Sequence, residues 1–209
     1  MIIISEHSLN ENLLLNKELN IIDLGACLGE FSIEVNKQFN LKKSILVEAN
    51  PTNFNKISKL ENFTLINKIA THAESDQLKF FNEDADSPYN GSTVFNNFTS
   101  SLKQHLISTI SLKDLINQLN LNENEDVDIL KIDIEGGEYE LLINEKDETL
   151  LKFKQITVEF HDFIDPNLRV LNPQIEKRLT DLGFSVQAKN PAHFRYGSEY
   201  YDVLFVKNN

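Results

Sequence analysis

Two groups of residues in this chain of 209 have types and spacing suited to chemistry. The first is Asp23-Leu24-Gly25-Ala26-Cys27-Leu28-Gly29-Glu30, with Glu48 following 25 positions after Asp23. A glycine turn lets backbone approach a ligand closely. The helix start that follows offers unpaired N–H groups to a negative group. Glu48 ends the next apolar run, where a carboxylate can accept both hydroxyl protons of a ribose. Together these residues describe a site for an adenosine-bearing cofactor at the carboxyl ends of parallel strands. The second group is Lys131-Ile132-Asp133-Ile134-Glu135-Gly136-Gly137-Glu138. Alternate residues of a strand share a face, so Lys131, Asp133 and Glu135 point together. Charges in so apolar a strand are costly unless they are paired or used. Glu159 and His161 repeat the i, i+2 relation further on.

The glycine pattern discriminates among cofactors. Cys27 and Glu30 occupy the second and third glycine positions of the dinucleotide fingerprint, and no Gly-Lys-Ser/Thr is present. A pyrophosphate therefore has less room than usual. Asp23 would repel phosphate while suiting a cationic, amino-acid-bearing ligand. S-adenosylmethionine is favoured over NAD. Each group also has a plainer reading. The glycines can serve a strand-to-helix turn alone, and Cys27 can simply fill a small space. Lys131 can pair with a strand-end carboxylate, with His161 in an ordinary loop, and Glu138 can favour a helix N-terminus.

The elements that must position these groups alternate in type. After residues 1–20, read as a polar arm or short helix, come strands ending at Leu24 and Glu48, a helix over Asn53 to Leu60 and a third strand over Phe63 to Ile69. That order predicts a parallel sheet. Gln77 to Phe81 reads as an extra strand, and residues 82–100 as a long polar loop of the kind that forms lids or binding loops. A short strand at Ile107 to Ile110 precedes a helix over Leu112 to Leu119, capped by Ser111. Strands follow at Val127 to Ile134, Ile156 to Phe160, Phe184 to Gln187 and Asp202 to Lys207, with helices from Tyr139 and over Pro173 to Leu182, the latter stopped by Gly183. Without repeats or a linker, residues 1–209 read as one domain.

Composition narrows the partners. A formal net charge of -12 disfavours general nucleic-acid binding and anionic membrane surfaces, both of which need clustered Lys and Arg. The single cysteine excludes an intrachain disulfide framework. No apolar run approaches membrane-spanning length. A cytoplasmic protein is expected, with its oligomeric state unspecified.

The residues Asp23-Leu24-Gly25-Ala26, Gly29, Glu48-Ala49-Asn50-Pro51, Lys131 to Gly136 and Glu138 resemble the motif set of FkbM-type S-adenosylmethionine-dependent methyltransferases over roughly residues 20–162. The resemblance implies an α/β, Rossmann-like class I methyltransferase fold: a seven-stranded, mostly parallel sheet with an antiparallel last strand and helices on both faces. It also implies O-methylation, often of a sugar hydroxyl or a natural product. That family usually has Asn where this chain has Cys27. The expected cofactor residues are Asp23, Gly25, Ala26, Gly29, Glu30, Glu48, Asn50 and Asp133. Asp133, Glu135 and His161 are the catalytic candidates, because clustered acids can hold a proton acceptor near working pH. Ser92, Glu138 and Tyr196 are candidate acceptor contacts. In a metal-assisted variant, Asp133, Glu159 and His161, with Asp162 nearby, hold Mg²⁺ or Mn²⁺. The alternatives are a non-sugar natural-product acceptor, a non-catalytic adenosyl-ligand-binding protein and an NAD-dependent oxidoreductase.

Overall fold

The computed structural model describes residues 1–72, 77–82, 92–93, 103–190 and 201–208. It opens with a hairpin of β1 (Ile2–Ile4) and β2 (His7–Leu9), so the expected arm or short helix over residues 1–20 is a hairpin followed by a short 3-10 helix at Glu11–Leu13. The hydrophobic effect explains the difference: Ile4 and Leu9 are buried, and together with Leu14 they pack against the sheet. Strands of three residues are too short to show alternation in the sequence. A parallel unit follows: β3 (Leu19–Leu24), α1 (Glu30–Gln38), β4 (Leu41–Val47), α2 (Pro51–Ile57) and β5 (Thr64–Ile66). α2 starts two residues earlier than expected. The Asn50 side chain accepts from the Thr52 N–H, and Pro51 takes the first helical position, where a missing N–H costs nothing.

The expected third strand divides in two. β5 stays in the main sheet, while β6 (Ile69–Ala70) pairs with a later strand. Between them the Asn67 amide donates to the carbonyls of Glu48 and Ala49. β7 (Leu78–Asn82), β8 (Ser92–Thr93) and β9 (Lys103–Ile107) form a separate antiparallel sheet in the order β8-β7-β9. β10 (Thr109–Ile110) is the partner of β6, and α3 (Leu112–Leu119) carries the expected Ser111 cap. The second half comprises β11 (Ile129–Ile132), α4 (Gly137–Asn144), α5 (Asp147–Leu150), β12 (Gln155–Glu159), α6 (Asn172–Asp181), β13 (Phe184–Asn190) and β14 (Asp202–Lys207).

Seven strands form one sheet in the order β13-β14-β12-β11-β3-β4-β5. β14 is antiparallel to both neighbours, and the remaining pairs are parallel. The two faces differ in chemistry. Leu24, Ile132, Val158 and Val203 align on one face and pack with α3, α4 and α6 in the main core. On the other, Ile21 and Ile129 pack with Phe31 and Val35 of α1 and with the N-terminal hairpin. Along this second face the register places Asp23, Lys131 and Thr157 side by side. A polar stripe therefore runs toward the strand ends beneath the hairpin.

Candidate active site

The turn after β3 is fixed by steric necessity. Gly25 has φ +76°, and a Cβ there would lie 1.7 Å from the carbonyl oxygen of Asp133. No side chain fits while the ends of β3 and β11 stay this close. The N–H groups of Gly25 and Ala26 both donate to the Val47 carbonyl, at 2.9 and 3.0 Å. The Cys27 N–H donates to Glu48 Oε2 and the Asn50 N–H to Glu48 Oε1, each at 2.7 Å. Burial nevertheless raises the Glu48 carboxyl to about 7, against the pull of those two N–H groups. The Cys27 thiol is pushed up to about 12 by burial and by Glu48 and Glu30, so it is no nucleophile near neutral pH.

Asp23 is fully buried. Its Oδ2 accepts from Ser32 Oγ at 2.7 Å, and its Oδ1 lies 3.2 Å from Lys131 Nζ. The same ammonium donates to the Gly25 carbonyl at 2.7 Å and lies 3.3 Å from Asp133 Oδ2. Burial alone would lower the Lys131 pKa, but Asp23 and Asp133 reverse this and raise it. One buried cation thus joins the glycine turn to the end of β11.

Beyond β11 the chain reverses through Glu135 and Gly136, with φ of +51° and +100°. This reversal turns Glu138 inward. Its Oε2 accepts from the Gly136 N–H at 2.8 Å, and its Oε1 accepts from the His161 N–H at 2.8 Å and lies 3.2 Å from His161 Nδ1. His161 Nε2 then faces three carboxylates: Asp133 at 3.5 Å, Glu135 at 3.6 Å and Glu159 at 3.6 Å. Burial opposes charge on this imidazole, yet Glu138 and Glu135 hold its pKa well above the ordinary value. The Asp133 carboxyl is held low: burial disfavours its charge, but Lys131 and the His7 and His161 rings outweigh that. Burial raises Glu135, and burial with Asp133 nearby lifts Glu159 to about 7.

A cavity of about 820 Å³ opens onto these strand ends, within the range of small-molecule sites. Gly25, Ala26, Glu30, Glu48, Asp133 and Glu135 line it, as does Glu159. Asp23, Gly29 and Asn50 stand behind it, holding the turn, the start of α1 and the start of α2. The expectation that Glu138 meets the acceptor is corrected: it is fully buried, and both its oxygens are bonded to Gly136 and His161. His161 is also placed behind the wall, 2% exposed. Ser92 belongs to β8 opposite Asn82. Tyr196 lies outside the described residues.

His7 is a cavity residue the sequence reading missed. It sits edge-on to Phe31, its Nε2 is 3.8 Å from Asp133 Oδ2, and its Nδ1 is 3.8 Å from Asp202 Oδ1. Ser8 fastens the hairpin by donating its N–H and hydroxyl to Asp202 Oδ2, at 3.1 and 2.6 Å. Ser5, Glu6 and Tyr201 join His7 in the cavity wall. The pattern of three isoleucines before a polar turn was the one available signal for a strand there. Nothing local pointed to Asp202 as its anchor.

A seven-stranded sheet with an antiparallel last strand, and a site at the carboxyl ends of its central strands, defines a class I methyltransferase. The sequence matches the model of the methyltransferase FkbM domain over residues 23–186, and the chain belongs to that family. In structure it is similar to methyltransferase FkbM from Methylobacillus flagellatus KT, with a TM-score of 0.53, 14% identity and coverage of 90% of this chain and 43% of that one. It is also similar to an rRNA methylase from Streptococcus thermophilus, with a TM-score of 0.51, 10% identity and coverage of 95% and 93%. Among curated proteins, an rRNA adenine N-6-methyltransferase from Limosilactobacillus reuteri is 34% identical over 96 residues, 44% of this chain and 39% of that protein. The chain thus spans well under half the length of that relative. No helix among the described residues is long and apolar enough to cross a membrane.

Proposed function

We propose that this protein transfers the methyl group of S-adenosylmethionine to a hydroxyl of a sugar or glycan, in the cytoplasm and as a single domain over residues 1–209. The observation that carries this reading is the division of one cavity between Glu48 on one side and Asp133, Glu135 and Glu159 on the other. S-adenosylmethionine, when bound, supplies an electrophilic methyl on a sulfonium. The donor set fits it. Glu48 offers a carboxylate to ribose hydroxyls, and Ala49, Ile69, Leu78 and Phe80 offer an apolar wall to an adenine. The Gly25–Cys27 turn keeps backbone rather than side chain at the centre. Asp133, ionised and held between Lys131 and two histidines, suits an ammonium or sulfonium.

A sugar hydroxyl is a weak nucleophile, so its proton needs an acceptor as the bond to carbon forms. Glu135 and Glu159 face the cavity with raised proton affinity. His161 stands behind them, its Nε2 3.5 to 3.6 Å from Glu135, Glu159 and Asp133, and acts on all three through its charge. Orientation of the hydroxyl toward the methyl group accounts for much of the rate, up to roughly 7–11 kcal/mol in favourable cases.

A second reading adds a divalent ion, Mg²⁺ or Mn²⁺. Its support is the approach of Asp133 and Glu159 to His161 Nε2, at 3.5 and 3.6 Å, although the groups that come close enough together to share an ion are His7, Asp133 and Glu159, and Asp133, Glu135 and His161. Full activity after exhaustive chelation would remove it. The main reading is tested by calorimetry with S-adenosylmethionine, S-adenosylhomocysteine and NAD, followed by radiolabelled methyl transfer to a saccharide panel. Cofactor binding and labelled saccharide are expected. NAD as the sole ligand, or label confined to protein or nucleic acid, would overturn it.

A further inference from the structure

The strand order divides the cavity. Glu48 ends β4, on one side of the glycine turn, and Lys68, Ile69, Leu78 and Phe80 extend that side. Asp133 follows β11 and Glu159 ends β12, on the other side, where β12 adjoins β14. This second half is completed by Ser5, Glu6 and His7 from the hairpin and by Tyr201 just before β14. All four lie outside residues 23–186, the block shared with the family. The part of this wall on the β12 side is therefore built partly from segments outside the matched domain.

The hydrogen-bonding character of that half is one-sided. Glu6, Asp133, Glu135 and Glu159 present carboxylates, which when ionised only accept. Tyr201 is hydrogen-bonded to Glu159. With its O–H donated there, its oxygen is left as an acceptor. The ammonium of Lys131 is spent on Asp23, Asp133 and the Gly25 carbonyl. His7 is the remaining cavity-lining group on this side, among the described residues, that can carry positive charge. It is 2% exposed and lies between Asp133 and Asp202. A phosphate or carboxylate here would meet Glu6, Glu135 and Glu159 beside the Lys131-paired Asp133, in a protein of net charge -12. A polyol or an amine meets acceptors for each of its donors.

We infer that the acceptor is a donor-rich saccharide, neutral or amine-bearing and free of phosphate, selected by Glu6 and Tyr201 from outside the shared methyltransferase block. This inference rests on the proposed methyl transfer to a sugar and adds the charge class and the residues that read it. Glu6 is exposed at the tip of the hairpin turn, where Ser5 and Glu6 have φ of +45° and +71°. Its place is set by the hairpin, whose β2 is tied to Asp202, and not by the cofactor turn. Tyr201 is held by its backbone: its carbonyl accepts from the Phe160 N–H at 2.8 Å and its N–H donates to the Asn190 carbonyl at 3.2 Å.

The test uses the full chain with radiolabelled S-adenosylmethionine. Acceptors are offered in matched sets: neutral pyranosides, aminopyranosides, the same sugars as phosphates or nucleoside-diphosphate conjugates, and total bacterial RNA. Label is expected on neutral or amino sugars, at least about tenfold above their phosphorylated forms. Glu6→Gln should raise the acceptor KM about tenfold, the loss of a hydrogen bond to a charged group, with cofactor Kd by calorimetry unchanged. Glu6→Lys should shift the preference toward phosphorylated sugars, and Tyr201→Phe should raise KM more than it lowers kcat. Preference for a phosphorylated sugar, label on RNA, or an unchanged KM in Glu6→Gln would overturn the inference. So would the absence of label on every unphosphorylated saccharide when S-adenosylmethionine binds. Failure of the cofactor to bind would instead sink the underlying methyltransferase reading, and this inference with it.

Discussion

The two halves of the cavity hold their acids in different ways. On the β4 side, Glu48 is held by main-chain N–H groups from Cys27 and Asn50. On the β12 side, Asp133, Glu135 and Glu159 converge on one ring nitrogen of His161, which is oriented by Glu138. The first arrangement is a cradle made by backbone, specified by where glycine is required. The second is a constellation of side chains drawn from β2, β11, β12 and the segment before β14. Backbone cradles tolerate changes of neighbouring side chains and fail when a Cβ intrudes. Side-chain constellations fail when one charge is removed.

Substitutions can break this contrast at graded cost. The largest effect is expected for Lys131→Met, because Lys131 serves both halves. It leaves Asp23 and Asp133 without their shared cation, and loss of one partner of a buried pair costs about 3–5 kcal/mol. Urea unfolding should show that loss together with weakened cofactor binding. Gly25→Ala attacks the cradle alone. The clash with the Asp133 carbonyl and the positive φ should cost about 1–3 kcal/mol or more. Calorimetry should show cofactor binding abolished, and the same titration at normal affinity would refute the cradle.

The pH dependence separates the halves next. Glu48 and Glu159 both have folded values near 7, above the ordinary 4.5. A raised carboxyl favours the protonated folded state, so its contribution to stability is full below pH 4.5 and is lost as pH rises to about 7. Function runs the opposite way. On the proposed reading, Glu48 accepts ribose hydroxyls, and Glu159 a proton, only when ionised. Cofactor affinity and turnover should therefore both rise through pH 7 while stability falls. Glu48→Gln should flatten the affinity profile alone, and Glu159→Gln the acid limb of turnover alone. The smallest effect is expected for Cys27→Asn. Cys27 has φ +50°, a left-handed conformation that Asn adopts more readily. Thermal unfolding should show a gain of no more than about 1 kcal/mol.

That left-handed φ also gives a physical reason for the Asn that the family resemblance leads one to expect at this turn. The cradle was legible because its requirements are local. Gly25, Gly29 and Glu48 follow from a strand, a turn and the next strand. Lys131, Asp133 and Glu135 were legible for the same reason, through strand alternation. Glu138 was misread because its direction depends on the left-handed reversal at Glu135 and Gly136, which turns a helix N-terminal acid toward the interior. His161, expected as a catalytic group, lies behind the wall, near Asp133, Glu135 and Glu159. Its backbone N–H and ring are held by Glu138, 23 positions earlier in the chain. His7 could not be read at all. Its strand is three residues long, and the group that anchors that strand, Asp202, is 194 positions from Ser8.

That last contact sets an order of assembly. As the chain is synthesised from its N-terminus, β3, β4 and β5 can pair while most of the protein is still to come. The cofactor cradle needs only β11 in addition. The hairpin needs β14 in place before Asp202 can hold Ser8 and the cavity can close over His7. Contacts of such long sequence separation form late, because the loop must close before they contribute. On the proposed reading, the cofactor cradle is closed by contacts of shorter sequence separation than the Ser8–Asp202 tie that closes the acceptor wall.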